Sequence, residues 1–120
     1  MAELSHFLDG ARVPGTSGRT ADVFDPAAGS VRDTVPLASR EEVEAAISSA
    51  QAAQPAWAAM NPQRRARVLL KFVELAHENM DELARLLSSE HGKTIPDAKG
   101  DWQRGLEVVE FCAGAPHQIG

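Results

Sequence analysis

Cys112 and His117 are the first residues to weigh as chemistry, because a thiolate with a nearby imidazole can serve as nucleophile and base. Five residues along a helix turn the pair about 140° apart, which is poor geometry for proton transfer between them. Phe111, Ala113 and Gly114 flank the cysteine, so a structural thiol at a packed helix end is the expectation. His6, His77, His91 and His117 show no metal-ligand spacing, and a single cysteine builds no structural zinc site. No metal and no catalytic residue are therefore expected within the chain.

Gly92-Lys93-Thr94 invites a phosphate-loop reading. That motif needs a glycine five residues earlier, where Leu87 stands, and a preceding strand where this segment follows helical periodicity. A helix-ending glycine with a lysine at the negative end of the dipole accounts for the same residues. Gly15-Thr16-Ser17-Gly18 lacks a third glycine and a buried strand feeding it, so it reads as a turn.

Arg104 offers more. On a helix it lies about 200° from Trp102 yet within about 40° of Val108 and Phe111, so it shares an apolar strip. One reading is a surface arginine paired with Asp101 or Glu107, three residues to either side. The other is a guanidinium in a partly apolar setting that grips a carboxylate through two hydrogen bonds.

The elements that must position these residues fall into two textures. Through residue 37, glycines and prolines separate short runs with strand character. Asp9-Gly10 between Phe7-Leu8 and Ala11-Arg12-Val13 predicts a two-residue hairpin of type I′. A second hairpin is expected from Ala21 to Leu37, connected by Asp25-Pro26-Ala27-Ala28-Gly29.

Helical periodicity follows. Ser39-Arg40-Glu41-Glu42 is a capping box, and Val43, Ala46, Ile47, Ala50 and Ala53 form a stripe suited to close helix packing. Pro55 bends or shortens the last turn, and this helix is expected to end by Met60. Asn61-Pro62 opens a second helix, and Leu69, Phe72 or Val73, Ala76, Met80, Leu83 and Leu87 extend it as one long amphipathic helix to Gly92. A third begins near Thr94, places Trp102, Leu106, Val109 and Ala113 on one face, and ends at Gly114. The expected fold is α+β and mostly helical, two short β-hairpins (residues 1–38) followed by three helices (residues 39–120).

Composition narrows the function classes. The chain has 120 residues, 43% hydrophobic and 24% charged, values of a soluble globular protein. Its mass of 12.9 kDa corresponds to roughly 6,300 Å² of accessible surface when compactly folded. A large enzyme is excluded unless this is a piece of one. A net charge of −5 without a basic stripe argues against nucleic acid or anionic lipid as partner. One cysteine permits no intramolecular disulfide, no apolar run approaches the ~18 residues that span a bilayer, and the start lacks a signal-peptide core. A cytoplasmic location is expected.

Several stretches resemble the amino-terminal part of the aldehyde dehydrogenase superfamily, and more narrowly its CoA-acylating methylmalonate-semialdehyde dehydrogenases. They are His6-Phe7-Leu8-Asp9-Gly10, Val23-Phe24-Asp25-Pro26-Ala27-Ala28-Gly29, Val35-Pro36-Leu37-Ala38, Asn61-Pro62-Gln63-Arg64-Arg65 and Glu90-His91-Gly92-Lys93-Thr94. The most particular is Asp97-Ala98-Lys99-Gly100-Asp101-Trp102-Gln103-Arg104-Gly105-Leu106-Glu107-Val108-Val109-Glu110. The likeness runs from His6 to about His117 and implies a piece of the aldehyde dehydrogenase α/β fold, its helices being part of the dinucleotide-binding domain.

The resemblance implies NAD-dependent oxidation of a semialdehyde that carries a carboxylate. A cysteine attacks the aldehyde, hydride passes to NAD, and CoA takes the acyl group. The family's nucleophile, oxyanion hole and nucleotide site lie further along a much longer chain, and Cys112 does not match the nucleophile motif. NAD and CoA therefore belong to the intact family, and neither is expected to bind this chain alone. At the place of Arg104 the subfamily has an arginine that holds the substrate carboxylate at the aldehyde tunnel, so the resemblance makes Arg104 the substrate-binding candidate. Trp102 departs from the smaller aliphatic residue the subfamily pattern has there.

A truncated, catalytically silent member of a homo-oligomeric enzyme family is the expectation. The fragment is expected to self-associate or pair with a homologue through its apolar faces. The alternatives are a non-enzymatic helical interaction module and a piece of another semialdehyde dehydrogenase.

Overall fold

The computed structural model describes residues 2–118, so Ile119 and Gly120 of the expected helical segment lie outside the described residues. The elements are β1 (His6–Leu8), β2 (Ala11–Val13), β3 (Thr20–Phe24), β4 (Val31–Pro36), α1 (Arg40–Ala59), α2 (Pro62–Glu78), α3 (Met80–His91), α4 (Ile95–Ala113) and a 3-10 turn, Ala115–His117. They group into two compact units, Met1–Ala58 and Ala59–Gly120. Two hairpins followed by helices are as the sequence predicts; among the described residues the α-helices number four where three were expected.

In the first unit, β1 and β2 pair antiparallel with Leu8 opposite Ala11, and the loop residues Asp9 and Gly10 have φ of 52° and 74°. Both positive values are what a type I′ turn requires. β3 and β4 pair from Thr20 opposite Pro36 to Phe24 opposite Val31, with a bulge between Val23 and Phe24. Asp25 ties their connection, its carboxylate accepting from the amides of Ala27 (2.8 Å) and Ala28 (3.2 Å). The extreme N-terminus adds a bridge the sequence did not announce, Leu4 N–H donating to Thr34 O at 2.8 Å. Gly15 is set by close approach, since a Cβ there would collide with the buried Pro36 ring.

α1 starts on the capping box. Ser39 Oγ accepts from the Glu42 amide (3.1 Å), and Glu42 Oε2 accepts from the Ser39 amide (2.7 Å). The helix continues through Pro55 to Ala59. None of its residues is buried, and Val43 and Ile47 are about half exposed. Its apolar stripe faces an open groove of about 450 Å³, shared with Phe7 and Leu8, where tight packing was expected.

The second unit packs three helices around Leu106, which is 1% exposed, with Val73 and Ala76 beside it and Met80, Leu83 and Val109 around them. Ala66, Ala84, Ala98 and Ala113 are buried as well, small residues that let the helix backbones approach.

The single long helix expected to end at Gly92 is divided at Asn79. Its backbone leaves the helical region (φ −108°, ψ 16°), and its Nδ2 donates to Leu75 O at 2.8 Å. An asparagine side chain that competes for backbone partners interrupts a helix in this way. Met80 then restarts the helix with Asp81 and Glu82 in its first turn, where acidic groups favour the dipole. Gly92, at φ 84°, ends α3 in the left-handed conformation, and Thr94 caps α4 by accepting from the Asp97 amide at 3.3 Å.

The accessible surface is 8,669 Å². Two separate bodies of half the mass would together expose about 7,600 Å². Large apolar side chains stand exposed, among them Phe7, Phe24, Ile47, Val68, Leu70, Val108 and Phe111.

Candidate functional site

The site begins at the turn between α3 and α4. Gly92 reverses the chain, and Ser88 Oγ donates to Lys93 O at 2.6 Å, closing the turn. Lys93 thereby reaches forward, and its ammonium pairs with the carboxylate of Asp101, two turns into α4. The other oxygen of Asp101 accepts from Nη2 of Arg104, one turn further on. Lys99 leaves this chain of charges and pairs with Asp81 on α3 at 2.6 Å.

Burial differs along the series. The Lys93 side chain is 19% exposed, that of Asp101 32% and that of Arg104 73%. The hydrogen bond from Lys93, then its charge and that of Arg104, hold the Asp101 carboxyl below its ordinary value against the opposing effect of desolvation. The trio carries one net positive charge.

Of the two partners that the sequence offers Arg104, the structure selects Asp101. Glu107 instead accepts from Gln103 Nε2 at 3.3 Å. The apolar strip beside Arg104 is exposed, Val108 at 62% and Phe111 at 71%. Trp102 points to the other side and lines a groove of about 270 Å³ with Phe72, Leu87, Leu106 and Val109; its indole N–H is buried without a partner. A cation on an exposed apolar strip can bind a carboxylate bidentately, and the one carboxylate of the trio is engaged by Lys93 and Arg104.

The remaining candidates separate from this cluster. Cys112 is a free, exposed thiol on α4, and no hydrogen bond joins it to His117 in the following turn. Gly92-Lys93-Thr94 closes one helix and caps the next. Gly15-Thr16-Ser17-Gly18 is a turn held by Ser17, whose hydroxyl meets Leu37 O, and by the Thr16 amide, which donates to Glu42 at 2.8 Å. Among the described residues no cluster of three histidine, cysteine, aspartate or glutamate side chains is placed to hold a metal ion, and no helix is long and apolar enough to cross a membrane.

The residue that sequence reading missed is Lys93 as the partner of Asp101. Helical spacing offers no signal for a contact made around a left-handed turn.

The model of the aldehyde dehydrogenase family matches residues 13–120. Malonate-semialdehyde dehydrogenase 3 of Geobacillus kaustophilus is 47% identical over 113 residues, 94% of this chain and 23% of that protein. Malonate-semialdehyde dehydrogenase of Pseudomonas aeruginosa is 43% identical over 97% of this chain and 23% of its own. Among solved structures, a Sinorhizobium meliloti protein assigned as a methylmalonate-semialdehyde dehydrogenase, in complex with NAD, superposes with a TM-score of 0.92 at 64% identity, covering 96% of this chain and 23% of that one. Methylmalonate-semialdehyde dehydrogenase of Oceanimonas doudoroffii gives 0.95 at 42% identity, over 100% of this chain and 24% of its own. The chain thus spans about a quarter of the length of these relatives, matching their amino-terminal part.

Proposed function

The chain belongs to the aldehyde dehydrogenase family, and from that premise we propose that it is the amino-terminal segment of a CoA-acylating, NAD-dependent methylmalonate- or malonate-semialdehyde dehydrogenase, with Arg104 binding the substrate carboxylate. The observation that carries the assignment of the residue is the exposed guanidinium, held at one end by Asp101 and bordered by Val108 and Phe111. Relatives named for malonate and methylmalonate semialdehydes, both of which carry a carboxylate beside the aldehyde, support the substrate class.

Within such an enzyme, residues 1–38 form the hairpin arm and residues 39–120 part of the dinucleotide-binding domain. NAD would accept the hydride and CoA the acyl group. No step through either is assigned to this chain. Its contribution is to bind and orient. A negatively charged semialdehyde meets a fixed positive group, and its aldehyde end is thereby directed away from Arg104 toward the reacting groups. The intact enzyme is a cytoplasmic homo-oligomer in this reading.

In this reading the 120 residues alone turn over no aldehyde, since the family's nucleophile lies outside them and Cys112 does not match its motif. The test is NAD reduction with malonate semialdehyde and CoA. We expect turnover when residues 1–120 are joined to the remainder of the Sinorhizobium meliloti relative, and none from the 120 residues alone. Turnover by the chain alone, or an inactive but folded fusion, contradicts the proposal. The exposed apolar faces also suit a helical interaction module, and a folded chain that binds an unrelated partner while its fusion lacks activity would favour that reading.

A further inference from the structure

We propose that Asp101 is a positioning residue for Arg104: pinned by Lys93, it holds the guanidinium by Nη2 and leaves the Nη1 edge open to a small carboxylate, an edge that Gly100 keeps uncovered. The inference rests on the reading of Arg104 as the carboxylate ligand.

A side chain as exposed as Arg104 samples many rotamers, and binding must suppress them. Asp101 removes part of that freedom beforehand. It is in turn fixed from its other oxygen by Lys93, the least exposed of the three groups. Ion pairs this near solvent add little to stability, so the value of the arrangement is geometric. Lys93 also decides its sign. A lone Asp101 would cancel the charge of Arg104, whereas the pair with Lys93 leaves the trio positive.

Gly100 supplies a separate observation. Glycine weakens a helix interior relative to alanine. Beyond its chain neighbours and the helix's own backbone, what stands within 4 Å of where its Cβ would be is Arg104 Nη1, at 3.9 Å. Packing within these 120 residues thus gives no reason for a glycine here. A larger side chain would extend over the guanidinium edge that Asp101 leaves unbonded.

The experiment uses the fusion of residues 1–120 with the remainder of the Sinorhizobium meliloti relative, assayed with malonate semialdehyde and with propanal, which lacks the carboxylate. Asp101→Asn should raise KM for the semialdehyde about tenfold, the scale of one hydrogen bond to a charged group, with kcat and the propanal KM unchanged. Asp101→Glu should recover part of the loss. Gly100→Leu, which keeps the ion pairs, should raise the same KM selectively and serves if Asp101→Asn does not fold. An Asp101→Asn enzyme that keeps its semialdehyde KM while Arg104→Met loses it overturns the positioning role and leaves Arg104 standing. A loss shared equally by both substrates marks Asp101 as merely structural and also overturns the role. An Arg104→Met enzyme with unchanged discrimination removes the reading of Arg104 and this inference with it.

Discussion

Ser39 and Glu42 exchange hydrogen bonds across the first turn of α1, each side chain accepting from the other's amide. Glu42 does more than close the helix. Its second oxygen accepts from the Thr16 amide and stands 3.5 Å from His6 Nε2, so one carboxylate joins the β1 segment, the Gly15 turn and α1.

Bonds from the Ser39 and Thr16 amides bring the Glu42 carboxyl from 4.5 down to about 2. The unfolded chain therefore takes up the proton first. The contribution of this carboxylate to stability is whole above about pH 4.5 and is lost as pH falls through about 2. Glu42→Gln should melt lower at neutral pH and lose less on acidification than the parent. Asp33, Asp81 and Asp101, also held low by their partners, leave a residual slope of the same sign. Thermal melts followed by circular dichroism across that range check it; parallel curves for parent and variant would contradict it.

Leu106 is the largest fully buried side chain. Leu106→Ala should destabilise the second unit by about 2–5 kcal/mol, through lost burial and the cavity left among Val73, Ala76 and Val109. Urea unfolding measures it. A cost under about 1 kcal/mol would show that the helices close over the gap.

Gly92 occupies a left-handed position that a Cβ disfavours. Gly92→Ala should cost about 1 kcal/mol in urea unfolding. Because the same turn delivers Lys93 to Asp101, the substitution should also weaken that pair, visible as a rise in the Asp101 titration followed by carbon-detected NMR.

The exposed Ile47, Val108 and Phe111 should drive association of the isolated chain. Sedimentation velocity should show mass rising with concentration, and Ile47→Lys with Phe111→Lys should reduce it. A monodisperse monomer with a cooperative melt would contradict this expectation.

What the sequence revealed was local. The Asp9-Gly10 turn, the Ser39 box, the Asn61-Pro62 start and the Gly92 stop each depend on a few adjacent residues, and each stands where it was read. Asn79 was not legible, because Ala76, Met80 and Leu83 keep helical spacing on both sides of the break. The α1 stripe was legible as a face, but periodicity does not say what covers a face, and Val43 and Ile47 stand half exposed. For the site, Asp101 beside Arg104 follows from helical spacing, whereas Lys93 enters from another element.

Whether Arg104 holds the substrate carboxylate is decided by the ratio of KM values for malonate semialdehyde and propanal in the fusion carrying Arg104→Met. The semialdehyde KM should rise on the order of ten- to a hundredfold, with the propanal KM unchanged. An unchanged ratio would contradict that role.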